Sequence, residues 1–308
     1  MKIAVLYGGV SGEREVSISS GRGIMEALER NGHEVIGIDF HPDELHKVTE
    51  LEVDLVFIGL HGKFGEDGCV QGLLEMLNLP YVGSGVLASA LAMDKSKAKE
   101  SFERAGIPVA KSKSYQLLHQ DDVTEIAQDI YENWQPPFVI KPNREGSTLG
   151  LSIIQDKEQI AEAVKLAFAS DHTLLVEDFV SGKELTVPVV GEIGHERALP
   201  AIEIIPKNEL YDYESKYAPG GSEHIVPARI DEGITKTIQD YAVLAHQVLG
   251  CKTYSRVDFL LTDQGTPIIL EVNTLPGMTP TSLFPDAARH IGLSYDEMIE
   301  EFVQLSKR

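Results

Sequence analysis

Two segments near the C-terminal end, 254–260 and 268–273, alternate polar and apolar residues, as strands with one polar face do. Their polar residues include Arg256, Asp258, Glu271 and Asn273. The residues between the segments favour a turn, and a hairpin register that sets Asp258 opposite Glu271 also sets Arg256 opposite Asn273. Two carboxylates and an amide on one face suit Mg²⁺, whereas a zinc site would contain thiolate or imidazole ligands. A polar strand face in contact with water explains the pattern equally well.

The segment 141–150 places a lysine at the end of a predicted strand and follows it with a loop that contains Gly146 and Gly150. Such glycines let backbone N–H groups approach phosphate oxygens closely. The spacing of a Walker motif is absent, and the residues after Gly150 predict a strand rather than the helix that such a motif requires. The loop either binds phosphate or, as is more usual for such turns, is structural.

A glycine-rich turn at 8–12 joins the first predicted strand to the first predicted helix and is followed by Glu13. The spacing of a dinucleotide-binding turn is absent, so we expect substrate binding, with backbone amides for an anion and Glu13 for an ammonium group. His61 follows the strand predicted at 55–60 and therefore lies at the carboxyl end of the sheet, where open α/β folds bind ligands. The alternatives are structural: an acidic residue in a first helical turn and a hydrogen-bonded histidine.

Strand and helix patterns alternate through the first ninety residues, which predicts a parallel α/β sheet. A second unit begins near Asp94, a predicted helix N-cap, and its strands and helices group as α+β. The third unit contains the hairpin and an amphipathic terminal helix. The least regular segment, 206–227, is predicted to be a long loop, which in compact domains is usually functional or disordered.

The composition is that of a globular protein: with 308 residues and 43% hydrophobic content, the chain can form a large core. The formal net charge of −21 argues against a nucleic-acid partner and an anionic membrane surface, so basic residues must concentrate wherever phosphate binds. No apolar run reaches the length of a membrane span or a secretory signal. Cys69 and Cys251 are expected to be buried free thiols, which fits a cytoplasmic protein.

Seven motifs occur in order along nearly the whole chain, and the ordered set is far more specific than any one motif. They are Gly8–Ser17, Leu60–Gly68, Met93–Lys95, Lys141–Ser147, Tyr211–Tyr217, Arg256–Asp258 and Glu271–Met278. With this set the chain resembles the D-alanyl-D-alanine ligase family of the ATP-grasp superfamily. The resemblance implies an ATP-grasp fold with a Rossmann-like parallel α/β substrate-binding subdomain at 1–93, a small central α+β subdomain at 94–183, and a C-terminal α+β subdomain at 184–308. The third would carry the metal site and an active-site loop at 206–227.

The resemblance also implies which residues form the site. ATP would be bound by Lys95, Lys141, Ser147, Glu177, Val180, Glu184 and Lys216. The substrates would be bound by Glu13, His61, Tyr217, Arg256, Gly277, Ser282 and Leu283. The catalytic residues would be Glu13, Ser147, Tyr217, Arg256, Gly277 and Ser282. Two Mg²⁺ ions, for which Mn²⁺ can substitute, would be held by Asp258, Glu271 and Asn273.

The implied reaction is the ATP-dependent ligation of two D-alanine molecules for peptidoglycan precursor synthesis. The carboxylate of the first D-alanine, whose ammonium group binds Glu13, would attack the γ-phosphate to give an acyl phosphate. The amine of the second would then attack that carbonyl group, while Arg256 and the Gly277 amide stabilise the oxyanion. The resemblance further implies a cytoplasmic enzyme without nucleic-acid or membrane partners, and it allows a homodimer.

Three other interpretations have different sequence requirements. A D-alanyl-D-lactate ligase has the same fold, although Lys216 and Tyr217 favour the dipeptide enzyme. An ATP-binding module without ligase activity would keep the fold, but the presence of Glu13, Arg256 and the metal ligands argues against it. A nicotinamide-dependent dehydrogenase is less well supported, because the glycine spacing of a dinucleotide-binding turn is absent.

Overall fold

The structure is a computed structural model that describes residues 1–119, 122–146, 149–206 and 222–307. Within these ranges the strands form three sheets, of which the first is parallel and the other two are antiparallel. Parallel and antiparallel sheets in one chain agree with the predicted combination of α/β and α+β units.

The first sheet is built by the strand and helix alternation predicted for the first ninety residues. Its elements are β1 (Lys2–Gly8), α1 (Arg14–Arg30), β2 (Glu34–Phe40), α2 (His46–Thr49), β3 (Leu55–Ile58), α3 (Cys69–Met76), β4 (Tyr81–Val82) and α4 (Val86–Met93), with a 3₁₀ turn at Pro42–Glu44. The strand order is β2-β1-β3-β4. The central strand β1 is an almost continuous apolar run, as strands covered on both faces are. The glycine-rich turn after β1 therefore lies at the carboxyl edge of the sheet.

The second sheet has the strand order β5-β8-β6-β7. The elements of this part are α5 (Lys95–Arg104), β5 (Ser112–Gln116), α6 (Asp122–Asn133), β6 (Phe138–Pro142), β7 (Ser152–Ile154), a 3₁₀ turn at Lys157–Gln159, α7 (Ile160–Phe168) and β8 (Thr173–Asp178). Asp94 caps α5 as predicted, because its side chain accepts a hydrogen bond from Lys97 N. Helices α6 and α7 cover one face of the sheet, whereas α5 contributes Ala98 and Phe102 to the core beneath the third sheet.

The third sheet has the strand order β12-β11-β9-β13-β14, and β10 pairs with β9. The elements are β9 (Lys183–Gly191), β10 (Arg197–Ala198), β11 (Ile202–Pro206), β12 (Ser222–Ile225), α8 (Glu232–Val248), β13 (Thr253–Leu261), β14 (Pro267–Asn273), α9 (Leu283–His290) and α10 (Tyr295–Leu305). The prediction of a loop at 206–227 is wrong for residues 222–225, which form a strand that pairs with β11. Residues 207–221 lie outside the described ranges.

Helix α10 contacts the end of α1 and the turn that follows it. Arg30 at the end of α1 donates two hydrogen bonds of 2.8 Å to Asp296, and His33 Nε2 lies 2.7 Å from Glu300. Phe302 and Val303 of α10 belong to the same apolar core as strands β1 and β3. The first and third sheets therefore share a core, which brings the start of α1 close to the segment after β14.

Two expectations about the surface have different outcomes. Cys251 is buried as expected, but Cys69 is exposed, so the prediction of two buried thiols is wrong for Cys69. Helix α3 turns Val70 and Leu74 inward instead. Among the described helices none is both long and apolar enough to cross a membrane.

Candidate active site

The hairpin of β13 and β14 has the register predicted from its alternating residues. Arg256 pairs with Asn273 and Asp258 pairs with Glu271, and the ladder shifts between Asp258 and Phe259. The Arg256 guanidinium donates to both carboxylate oxygens of Asp258, from Nε at 2.9 Å and from Nη2 at 2.7 Å. The predicted polar face therefore exists, and its guanidinium forms a bidentate ion pair on it.

Asp258 has a further partner that the sequence interpretation missed. Thr186 lies opposite it in β9, is fully buried, and donates from Oγ1 to Asp258 Oδ1 at 2.5 Å. Thr186 and Glu184 alternate with the apolar residues of β9, so the same alternation that revealed the hairpin was present here. The hydroxyl group thus contacts the same carboxylate oxygen of Asp258 as Arg256 Nε does.

The second carboxylate of the hairpin is paired from the start of α5. Glu271 Oε2 lies 3.2 Å from Lys95 Nζ, which also donates to the carbonyl oxygen of Glu145 at 2.8 Å. Asn273 Oδ1 accepts a hydrogen bond from Leu275 N at 3.0 Å. Lys95 thus links the hairpin to the glycine-containing loop after β6.

The donors of this face fit a hard cation that brings ligands of its own. Asp258 and Glu271 both line a cavity, whereas Asn273, two residues after Glu271 in β14, is not among the described residues of its wall. In the part of the chain that the structure describes, no group of three or more His, Cys, Asp and Glu side chains is placed to hold a metal ion. Two carboxylates and an amide would leave the remaining positions to water and phosphate oxygens, which is the usual environment of Mg²⁺.

A cavity of about 360 Å³ separates the second sheet from the third. Seven residues predicted to bind ATP or metal line it: Lys95, Lys141, Glu177, Val180, Glu184, Asp258 and Glu271. Apolar residues such as Val139, Ile153 and Leu270 form much of the remaining wall. The cavity therefore combines apolar walls, which suit a planar base, with lysines and carboxylates, which suit phosphates and their cations.

Glu177 in this cavity is a buried carboxylate shared by two lysines. Lys141 pairs with Oε1, and Lys99 Nζ donates to Oε2 at 2.7 Å. Burial raises the pKa of Glu177, but the charges of Lys141 and Lys99 outweigh this effect and lower it to about 2. Burial lowers the pKa of Lys99. The sequence interpretation missed Lys99, although it lies four residues after Lys95 and so shares its helix face.

Glu13 lies at the N-terminus of α1, buried between two loops. A Cβ atom added at Gly146 would lie 3.2 Å from Glu13 Oε2, and one at Gly62 would lie 3.5 Å from it. The first part of the chain therefore meets the glycine-containing loop, as the predicted site requires. Ser147 follows Gly146 directly, but Ser147, Lys216 and Tyr217 lie outside the described residues.

His61 connects the first sheet to the segment after β14. Its Nδ1 lies 2.9 Å from the carbonyl oxygen of Leu275, and its Nε2 lies 3.3 Å from Ser20 Oγ, which accepts a hydrogen bond from Met278 N. Burial lowers the pKa of His61, although Glu13 opposes the effect. A neutral ring with its proton on Nδ1 satisfies all three contacts. His61 and Ser20 thereby hold both ends of the segment that contains Gly277.

Gly277, Ser282 and Leu283 lie together before and at the start of α9. A Cβ atom at Gly277 would lie 3.4 Å from Ser282 Oγ, which accepts from Thr279 N at 3.1 Å. Ser282 is the N-cap residue of α9, and Leu283 is buried. The backbone N–H groups of a helix start can bind a carboxylate.

Glu66 is a buried carboxyl group that the sequence interpretation did not include in the site. Burial and the charges of Glu13 and Glu271 raise its pKa to about 8, against the opposing effects of the Gly62 N–H and Arg256. The Glu66 carboxyl group, which accepts from the Gly62 N–H, is thus influenced by the charges of Glu13 and of both strands of the hairpin.

Comparison with known sequences supplies further information. A family model described as "D-ala D-ala ligase C-terminus" matches residues 102–304, and one described as "D-ala D-ala ligase N-terminus" matches residues 2–48 and 42–84. A D-alanine–D-alanine ligase of Halalkalibacterium halodurans is 61% identical over 307 residues and covers 99% of both chains. One from Citrifermentans bemidjiense is 46% identical over 98% of this chain and 95% of that protein.

Solved structures of similar fold include proteins with different named substrates. The VanG D-Ala:D-Ser ligase from Enterococcus faecalis has a TM-score of 0.85 at 32% identity and covers 99% of both chains. A D-alanine–D-alanine ligase from Bacillus anthracis has a TM-score of 0.84 at 32% identity over 99% of this chain and 97% of that one. The structure of the Bacillus anthracis enzyme complexed with ATP has a TM-score of 0.82 at 29% identity over the same shares.

Proposed function

The chain belongs to the D-alanine–D-alanine ligase family, and from that premise we propose how its residues carry out the ATP-dependent ligation of two D-alanine molecules. The enzyme is a carbon–nitrogen ligase with an ATP-grasp fold. The observation that carries the assignment of the site is the meeting of three parts: Glu13, the cavity between the sheets, and the hairpin face of Arg256 and Asp258. We assign subdomains to 1–93, 94–183 and 184–308.

ATP occupies the cavity between the second and third sheets. The backbone at Glu177 and Val180 binds the adenine edge, Glu184 binds the ribose, and Lys95 and Lys141 bind the phosphates. The position of all five residues in the cavity wall supports this assignment. Ser147 and Lys216 complete the phosphate site in the proposal.

Asp258, Glu271 and Asn273 hold two Mg²⁺ ions, for which Mn²⁺ can substitute. When bound, these ions neutralise the charge of the triphosphate and of the phosphoryl group in transfer. Before they bind, Arg256 and Lys95 compensate the two carboxylates. The Thr186 hydroxyl group orients the Asp258 carboxylate for the metal.

Glu13 binds the ammonium group of the first D-alanine and so directs its carboxylate toward the cavity. A carboxylate oxygen attacks the γ-phosphorus of ATP, the bond to the bridging oxygen of ADP breaks, and D-alanyl phosphate forms. Positioning supplies most of the rate acceleration in such a step. Ser147 and Tyr217 belong to a hydrogen-bond network with Glu13.

The second D-alanine binds with its carboxylate at Ser282 and Leu283, at the start of α9. Its neutral amine attacks the carbonyl carbon of D-alanyl phosphate, the bond from that carbon to the phosphate oxygen breaks, and inorganic phosphate leaves with the proton that the amine nitrogen loses. Arg256 and the Gly277 N–H stabilise the oxyanion, a contribution of about 3 kcal/mol for a single donor. His61 acts by holding the segment that contains Gly277.

The same proposal includes the setting of the enzyme. It acts in the cytoplasm on peptidoglycan precursors, with small-molecule substrates and no nucleic-acid or membrane partner. The net charge of −21 supports the absence of polyanionic partners. A homodimer is compatible with the proposal.

The deciding experiment measures ADP and phosphate release with Mg-ATP and identifies the product by mass. D-alanine alone is compared with D-alanine plus D-lactate, D-alanine plus D-serine, and L-alanine, at several pH values. D-serine is included because a D-Ala:D-Ser ligase is among the similar structures. We expect D-alanyl-D-alanine as the main product. Folded protein without D-alanine-dependent turnover would rule out the ligase, and preferential formation of a mixed product would reassign the second substrate.

A further inference from the structure

Two lysines contact the Glu177 carboxylate, but only one of them reaches the nucleotide cavity. Lys141 lines the cavity together with Glu177, whereas Lys99 is not among the described residues that form its wall. Lys99 approaches Glu177 from α5, and its side chain is 5% exposed against 8% for Glu177. Its ammonium group contacts Glu177 Oε2 at 2.7 Å, whereas Lys141 contacts Oε1. Lys99 therefore acts on a bound ligand only through Glu177 and Lys141.

The charge balance of this group gives Lys99 a role. A carboxylate this deeply buried is strongly unfavourable without a cationic partner. Glu177 stays ionised because the two lysine charges hold its pKa at about 2 against the effect of burial. If Lys141 were the only partner, turning its ammonium group toward a phosphate would leave the Glu177 carboxylate uncompensated. With Lys99 in place, the Lys99 ammonium group remains paired with Glu177, and the Lys141 ammonium group can turn toward a phosphate.

We propose that Lys99 is a positioning residue of the nucleotide site, which remains paired with Glu177 so that the Lys141 ammonium group is available to a phosphate of the nucleotide. The inference rests on the proposed role of Lys141. It predicts that Lys99 affects the binding of the phosphates and not that of the adenosine part, which in the proposal contacts the backbone at Glu177 and Val180, the Glu184 side chain and the apolar wall.

Calorimetric titration of a Lys99→Met variant with Mg-ATP and with adenosine tests the inference. Methionine keeps an unbranched apolar stem of similar length and removes the charge. We expect the dissociation constant of ATP to rise about tenfold or more, since a buried charge must then lose its partner when Lys141 moves. The dissociation constant of adenosine should change by less than about twofold, and Lys99→Arg should restore ATP binding. Lys97→Met is the matched control, because Lys97 lies on the same helix but is exposed and pairs with Glu100.

A double-mutant cycle with Glu177→Gln separates the charge role from a packing role. Without the Glu177 charge there is no carboxylate to compensate, so Lys99→Met should have little further effect on ATP binding in that background. This double variant also keeps the test usable if Lys99→Met alone does not fold. An equal loss in both backgrounds, or a parallel loss of ATP and adenosine binding, would overturn the inference. Failure of the proposed function would look different, because the unmodified protein would then bind no ATP or release no phosphate with D-alanine.

Discussion

Asp258 lies directly opposite Glu271 across the antiparallel pair of β13 and β14, and each carboxylate forms an ion pair with a different basic side chain. Arg256 pairs with Asp258 and Lys95 pairs with Glu271. Like charges that face each other across two strands are destabilising. Both carboxylates are largely shielded from water, with exposed side-chain fractions of 17% and 28%. The face is thus a compensated charge cluster rather than the water-exposed strand face that the sequence left open.

Glu271→Gln removes one of these charges with almost no change in shape. We expect turnover to become undetectable, because the variant loses a charged ligand of the proposed metal site. The free energy of unfolding should change by only about 1 kcal/mol, because the loss of the ion pair with Lys95 is offset by relief of the repulsion between Glu271 and Asp258. Phosphate release with Mg-ATP and D-alanine measures the first effect, and urea unfolding measures the second. Near-normal turnover would show that the hairpin does not hold the metal.

The hairpin was predictable because its information is local. Side chains alternate with a period of two, so the polar residues of each strand mark one face, and a short turn limits the register. Asn273 is assigned opposite Arg256 in this way, and the structure has that pairing. Local periodicity likewise predicted the alternation of strands and helices in the first sheet, and Asp94 as a helix cap predicted the start of α5.

The same periodicity could have singled out Thr186 and Lys99, but it could not identify the partners of Thr186, Lys99 and Ser20. Thr186 meets Asp258 across 72 positions of sequence, Lys99 meets Glu177 across 78, and Ser20 meets Met278 across 258. No periodic pattern determines which strands or helices become neighbours over such distances. Their roles follow only from tertiary packing.

Thr186→Val tests whether the hydroxyl group orients the Asp258 carboxylate. Valine has nearly the same shape, so the fold should persist, but Asp258 loses the hydrogen bond of 2.5 Å. We expect the affinity for divalent cations to fall about tenfold or more, as it does when a partner of a metal ligand is removed. Mn²⁺ binding in the presence of ADP, followed by electron paramagnetic resonance, measures this without turnover.

Two further variants control this experiment. Thr186→Ser keeps the hydroxyl group and should bind Mn²⁺ normally. Ser255→Ala removes a buried hydroxyl group from the neighbouring strand that bonds to His246 instead, so it should not affect cation binding. Unchanged Mn²⁺ affinity in Thr186→Val would contradict the orienting role.

Gly146→Ala tests the contact between Glu13 and the loop after β6. The added methyl group would lie 3.2 Å from Glu13 Oε2, so the carboxylate must shift. We expect the KM of D-alanine to rise between about tenfold and 100-fold, because a misplaced binding group loses the productive substrate orientation. Steady-state kinetics with D-alanine as the varied substrate measures the change. Gly72→Ala is the control, since its methyl group would meet only Val86 at 4.0 Å. An unchanged KM in Gly146→Ala would mean that this contact does not position Glu13 for substrate binding.

Glu66 gives the protein a pH-dependent stability with a defined sign. Its pKa is raised from 4.5 to about 8, chiefly by burial and then by the charge of Glu13. Between these values the folded protein holds a proton that the unfolded chain releases, so the free energy of unfolding decreases as the pH rises. The contribution is fully present below about pH 4.5 and is lost by the time the pH passes 8.

Glu66→Gln isolates this contribution, because glutamine resembles the protonated acid, can still accept from the Gly62 N–H, and does not titrate. We expect the difference in the free energy of unfolding, variant minus unmodified protein, to grow between pH 5 and pH 8 by an amount on the order of a few kcal/mol. Urea unfolding without metal ions at four pH values measures it. Glu13→Gln in the unmodified background should end the decrease in the free energy of unfolding at a lower pH, since it removes one of the charges that oppose ionisation of Glu66. A difference that is independent of pH would mean that the pKa of Glu66 is not raised in the folded protein.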